Sequence, residues 1–244
     1  MANWSDPRSN AAMRATSVGT GAAAYDAGLR SYMLSVYNYM ASGVLLTGVV
    51  ALLFARSEAA PAILFGPGLL KYLIMFSPLA FVMVLSFGIN RLSTGAAQAI
   101  FWAFAAVMGL SMASIFFVYT GTSIAQTFFA TAAAFAGLSL YGYTTKKDLS
   151  GFGTFLVMGV VGLLVASVLN IFLKSDALTL VISFVGVLLF AGLTAYDTQR
   201  IKSLYFHVAG TDMMGKTVVM GALSLYLDFI NMFTFLLQFM GDRR

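Results

Sequence analysis

Asp228 lies in the middle of residues 218–240, a run apolar enough to cross a bilayer, and no other carboxylate sits so deep in a hydrophobic stretch of this chain. An isolated charge at that depth is costly even on lenient insertion scales, so it needs a partner, a proton or a wet cavity. At helical spacing Gly221, Ser224, Leu225, Asp228, Asn231 and Phe235 share one face of the run, because residues three and four apart lie above one another. Ser224 and Asn231 are thus its supporting polar residues. Such a face belongs inside a bundle, which makes the last helix the central one.

Asp197 is the natural partner. It stands near the end of the sixth apolar stretch, in Ala195-Tyr196-Asp197-Thr198-Gln199-Arg200, and the connection that follows leads into the seventh. Asp228 lies about ten residues into its stretch, roughly 15 Å at 1.5 Å per residue, and Asp197 reads as shallower. The two meet only if the sixth helix continues past Arg200, or if that half of the bundle is open to water. Carboxylates at hydrogen-bonding distance in a low dielectric cannot both be ionised, so they share a proton and titrate as a pair. The pair would form a pH-sensitive latch between two helices. Arg91, in Asn90-Arg91-Leu92 just past the second stretch, is a cation on the same side that could take over Asp197 once the shared proton leaves.

The elements that must position these groups are all hydrophobic. Of 244 residues 60% are hydrophobic and 9% charged, and the mean hydropathy of +0.88 lies far outside the range of a soluble domain. Seven stretches, residues 33–55, 69–89, 97–119, 122–143, 154–173, 177–199 and 218–240, are long enough to span the hydrocarbon core as helices. Short connections make successive helices antiparallel neighbours, which predicts one all-α integral membrane domain over residues 32–244, a seven-helix bundle. Residues 1–31 are polar, small and Gly/Ala-rich, without the apolar core of a secretory signal, and read as an N-terminal tail. Because Asp228 weakens the seventh stretch, a re-entrant segment is the alternative to a full span.

Lys and Arg set the orientation. With the N-terminus cytoplasmic, nine of the 14 basic residues fall inside and five outside. The net charge of +5 comes from residues scattered singly or in pairs at span ends, which fits headgroup contacts and topology signals rather than nucleic acid. With no cysteine and only His207, thiolate chemistry and multi-histidine metal sites are absent. An intramembrane serine protease needs a histidine within a span, whereas His207 is expected in a loop. A retinal protein needs a lysine in the last span, where Asp228 stands instead. A di-aspartyl protease would also pair carboxylates across helices. Tyr196-Asp197 matches the first of its motifs, but Leu225-Tyr226-Leu227-Asp228 does not match the Gly-x-Gly-Asp of the second. No enzymatic activity is expected.

Three strings, Lys146-Lys147-Asp148-Leu149-Ser150, Tyr196-Asp197-Thr198-Gln199-Arg200-Ile201 and Ser224-Leu225-Tyr226-Leu227-Asp228-Phe229-Ile230-Asn231, together resemble the Bax inhibitor-1 family in its bacterial branch. The resemblance runs from about residue 30 to the C-terminus. It implies a central last helix wrapped by six others in the bacterial inner membrane, with Asp197 and Asp228 as the pH-sensing pair that controls a calcium leak. The family's latch arginine falls at Asn90 or Arg91, and strict alignment places Asn90 there. No cofactor is expected. Calcium takes about six to eight oxygen ligands, so two aspartates with carbonyls and water offer only a weak site, suited to a permeant cation. The resemblance also implies a second reading, a non-conducting regulator in membrane stress resistance that partners a membrane-bound AAA protease, with the N-terminal tail available for docking.

Overall fold

The structure, a computed structural model, describes the backbone of residues 7–244 and the side chains of residues 26–244. Nine helices follow one another among the described residues: α1 (Pro7–Ala55), α2 (Ala59–Phe65), α3 (Leu70–Gly88), α4 (Thr94–Met112), α5 (Ile115–Val118), α6 (Gly121–Thr144), α7 (Ser150–Leu173), α8 (Asp176–Val208) and α9 (Met213–Met240). Seven segments are long and apolar enough to cross a membrane, with α4 and α5 together making the third. The all-α membrane bundle expected from the sequence is the fold.

Polar residues at the span ends start the helices. Ser93, Thr120 and Ser175 each accept a hydrogen bond from a backbone N–H of the first turn of α4, α6 and α8, at 3.2, 3.3 and 3.2 Å. Those donors have no intrahelical partner, so a side-chain oxygen there holds the helix start in register.

Three boundaries differ from the sequence reading. Of the tail expected over residues 1–31, residues 1–6 and the side chains through residue 25 lie outside the described residues, but the backbone is helical from Pro7 and Asp26 onward is already part of the first span. Leu29 and Tyr32 are buried in the core, with the Tyr32 ring 5.4 Å from that of Tyr205. The sixth helix runs to Val208 rather than stopping near residue 199, and the seventh starts at Met213 rather than near 218. Polar residues end an apolar run on a hydropathy count, yet α8 continues because Ile201 and Tyr205 bury one face of it while Arg200, Ser203 and His207 stay exposed, and His207 thus lies in the last turn of the helix rather than in a loop.

In α9, 67% of the most apolar stretch is buried inside the protein, against 11–39% for the other six spans. It is the central helix, and its closest neighbour is α8, followed by α1 and α6. The C-terminus settles how far it travels. Arg244 donates its backbone N–H to Val118 O at 2.9 Å, Thr120 donates to Asp242 O at 3.1 Å, and Asp242 donates to Ser123 Oγ at 3.0 Å. Those partners flank the α5–α6 connection. At the other end of the bundle Gln199 of α8 grips the α6–α7 connection, and Gly215 at the start of α9 packs against Thr94. The last helix therefore passes from one face to the other, and the re-entrant alternative is incorrect. We call the face with the α8–α9 connection the near face and the one with the C-terminus the far face.

Candidate functional site at the α8–α9 interface

Extending both helices changes the depth of the two aspartates. Asp197 lies eleven residues before the near-face end of α8, about 16 Å along the axis, and Asp228 fifteen residues from the near-face start of α9, about 22 Å. The two positions differ by about 6 Å in level on adjacent antiparallel helices. The condition set by the sequence, a sixth helix continuing past Arg200, is met. The charges lie within Coulombic range of each other, but no hydrogen bond joins them directly.

Their surroundings are unlike. Asp228 is 4% exposed, and its Oδ2 is buried without a hydrogen-bond partner. Asp197 keeps 14% of its side chain exposed and meets the guanidinium of Arg200, one turn on and 61% exposed, at 3.9 Å. One carboxylate is therefore sealed in the bundle while the other is partly exposed.

The proposed helpers take other partners. Asn231 donates its amide to Leu227 O of its own helix at 2.8 Å, and Ser224 is half-buried. Arg91 and Asn90 are both exposed just past α3, a helix that packs mainly on α4. The cation beside Asp197 is Arg200, on the same helix, so this ion pair does not tie two helices together.

Residues next to Asp197 do tie helices together. Thr198 and Ser139 of α6 share a buried hydrogen bond of 3.0 Å. Gln199 accepts from Leu149 N and donates to Lys147 O, both at 2.8 Å, so one amide clasps the α6–α7 connection from two sides. Lys202 donates to Tyr143 O at 2.8 Å. Within the connection Asp148 accepts from Ser150 N at 2.9 Å, and hydrogen bonds from the Ser150 side chain and backbone hold its carboxylate below the usual range. Two close approaches flank Asp197: a Cβ at Gly142 would strike the Ala195 carbonyl, and one at Gly153 would strike the Tyr196 ring. These glycines bring α6 and α7 against α8. Periodicity alone singled out none of these residues. Lys147, Asp148, Leu149, Ser150, Thr198 and Gln199 lie in the Lys146 and Tyr196 strings, two of the three that carried the resemblance, whereas Ser139, Gly142, Gly153 and Lys202 lie outside them and carried no signal.

A second buried polar node was missed. Thr47 of α1 donates to Ala105 O of α4 at 2.7 Å and shares a hydrogen bond of 2.6 Å with the Tyr226 hydroxyl of α9. The Tyr226 ring meets Phe104 and Phe101 edge to face, with centroids 5.1 and 6.2 Å apart. A lone threonine in an apolar run carries no sequence signal, because such residues commonly bond within their own helix, as Thr131 does to Thr127 O.

Chemically, the site offers two unequal carboxylates, one sealed and one partly exposed, on neighbouring helices. Among the described residues no three acidic or histidine side chains gather to hold a metal ion. The chain is similar to known proteins over most of its length. The chain is 46% identical over 220 residues to the inner membrane protein YbhL of Escherichia coli, covering 89% of this chain and 94% of that one. An uncharacterized protein of Rickettsia prowazekii is 46% identical over 221 residues, covering 90% and 93%, and one of Caulobacter vibrioides 46% identical over 228 residues, covering 90% and 91%. The family model described as inhibitor of apoptosis-promoting Bax1 matches residues 29–244, and the chain belongs to this Bax inhibitor-1 family.

Proposed function

We propose that the protein is a pH-sensitive calcium leak pathway of the bacterial inner membrane, with its N-terminus cytoplasmic, gated by Asp197 and Asp228. The observation that carries the reading is the unpartnered Oδ2 of Asp228, buried within Coulombic range of a second carboxylate. Buried polar atoms without partners are uncommon and mark places where something other than packing is at stake. With one proton on the pair half its charge is neutralised, and α8 stays packed on α9. Loss of that proton leaves two negative charges facing each other in a low dielectric, and repulsion favours separation of the helices. A cation passing between them would find two carboxylates with backbone carbonyls and water, a weak site from which it can leave. The near-face contacts of Thr198, Gln199 and Lys202 make α8 the element that would carry such a motion to the α6–α7 connection.

Flux should therefore rise with pH, since the protonated pair is the closed state. Calcium entry into liposomes holding the purified protein, measured across a pH series, tests this. Asp228→Asn and Asp197→Asn cannot release the shared proton, so each is expected to remove the pH dependence and to lower flux at high pH at least about tenfold, the equivalent of 1.4 kcal/mol. Unchanged flux in both variants would sink the proposal. Liposomes that stay tight to calcium at every pH would instead favour the non-conducting regulator, whose sign is a co-purifying AAA protease.

A further inference from the structure

The helices around α9 leave a seam between α1 and α6. α1 packs on α4 and α9, while α6 packs on α8 and α9, and two apolar cavities lie where α1 and α6 face each other. The larger, about 510 Å³, takes its walls from residues 30–41 of α1 and 135–143 of α6. The second, about 280 Å³, continues along the same helices through residues 44–51 and 121–129, with Phe229 and Phe233 of α9 as floor. Because α1 and α6 are antiparallel, the larger cavity occupies the near-face half of the seam and the smaller the far-face half. Leu34 and Leu140, exposed and on opposite walls of the larger cavity, open it sideways to hydrocarbon.

The near-face end of the seam is cationic. Arg30 lines it, exposed and without an ion-pair partner among the described residues, whose one salt bridge is Asp197–Arg200. Asp26, one turn earlier, makes no ion pair with it. Behind the α6 wall, Lys202 of α8 donates to Tyr143 O and holds its ammonium 4.9 Å from the ring centroid of Tyr143, a wall residue, which adds positive charge near that end without lining the cavity. No carboxylate lines the cavity. An apolar slot of this size does not hold water, since water needs several polar partners and apolar cavities stay dry. It falls instead in the range of about 300–1,000 Å³ typical of ligand pockets.

We propose that the α1–α6 seam binds one anionic phospholipid, an acyl chain lying in the cavity and the headgroup phosphate held at Arg30. The guanidinium fork of Arg30 matches phosphate oxygens in a way that a lone ammonium does not. Hydrocarbon access comes through the lateral opening, and the charge at one end fixes the direction in which the lipid enters.

Native mass spectrometry of the full chain, released from nanodiscs of equimolar phosphatidylglycerol and phosphatidylcholine, tests the site without reference to calcium flux. One phosphatidylglycerol per chain should be retained, preferred over phosphatidylcholine by about tenfold, and Arg30→Ala should remove most of that preference, an effect of about 1.4 kcal/mol. Ala136→Trp and Ala41→Trp fill the cavity from opposite, exposed walls, and each should cut retention of either lipid by about tenfold with helix content unchanged by circular dichroism. Having both variants keeps the test intact if one of them misfolds. Equal retention of the two lipids by the unaltered chain, or unchanged retention in the tryptophan variants, overturns the proposal.

Discussion

Tyr226 and Asp228 stand two residues apart on α9, both buried, and they face opposite sides of it. Tyr226, 0% exposed, has its hydroxyl bonded to Thr47 and its ring enclosed by Phe101 and Phe104. Asp228, 4% exposed, leaves Oδ2 without a partner and faces another carboxylate across the α8 interface. The first is a completed polar contact, and such contacts rigidify a core. The second is incomplete, and incomplete buried groups are retained at a cost in stability. The same helix therefore carries its anchor on the α1–α4 side and its candidate switch on the α8 side.

Substitutions that move stability in opposite directions on the two sides sharpen this contrast. Thr47→Val should have the largest effect. It removes two hydrogen bonds and leaves the buried Tyr226 hydroxyl without a partner, a loss of about 2–3 kcal/mol seen as a lower thermal midpoint in detergent. Asp228→Leu replaces an unpartnered polar group with a larger apolar side chain of the same branching and should raise stability by about 1 kcal/mol, the sign found when buried charges give way to apolar side chains. A large loss of stability in that variant would mean that Asp228 holds the bundle together as Tyr226 does. Arg200→Ala should change stability least, by about 0.5 kcal/mol or less, because the ion pair is long and its arginine is mostly exposed. A drop comparable to that of Thr47→Val would reassign Asp197 to the structural class.

Much of this was legible in the chain. Apolar runs of membrane-spanning length located all seven spans, since hydrocarbon admits only segments that satisfy their own backbone. The helical face of Asp228 marked α9 as central, and the search for a partner reached Asp197 before any geometry was known. Span ends were harder. Asp26 and the stretch from Arg200 to Val208 are too polar to count as apolar, yet they are helical because packing, not hydropathy, decides where a helix stops. Arg91 matched the expected side of the membrane, but a shared side is not a contact, and the cation found beside Asp197 lies three residues along its own helix.

By itself the amino-acid sequence determined the membrane class, the number of crossings, the family strings and the identity of the two carboxylates. Each of these follows from composition or from spacing along one helix, where 3.6 residues per turn fixes which side chains share a face. Tertiary structure alone decided the pairings between helices: Thr47 with Tyr226, Thr198 with Ser139, Gln199 with the α6–α7 connection, and the level at which Asp197 faces Asp228. Those depend on where antiparallel helices slide to rest against each other. Close approaches such as Gly142 on Ala195 set that position, and they are properties of two surfaces rather than of either string.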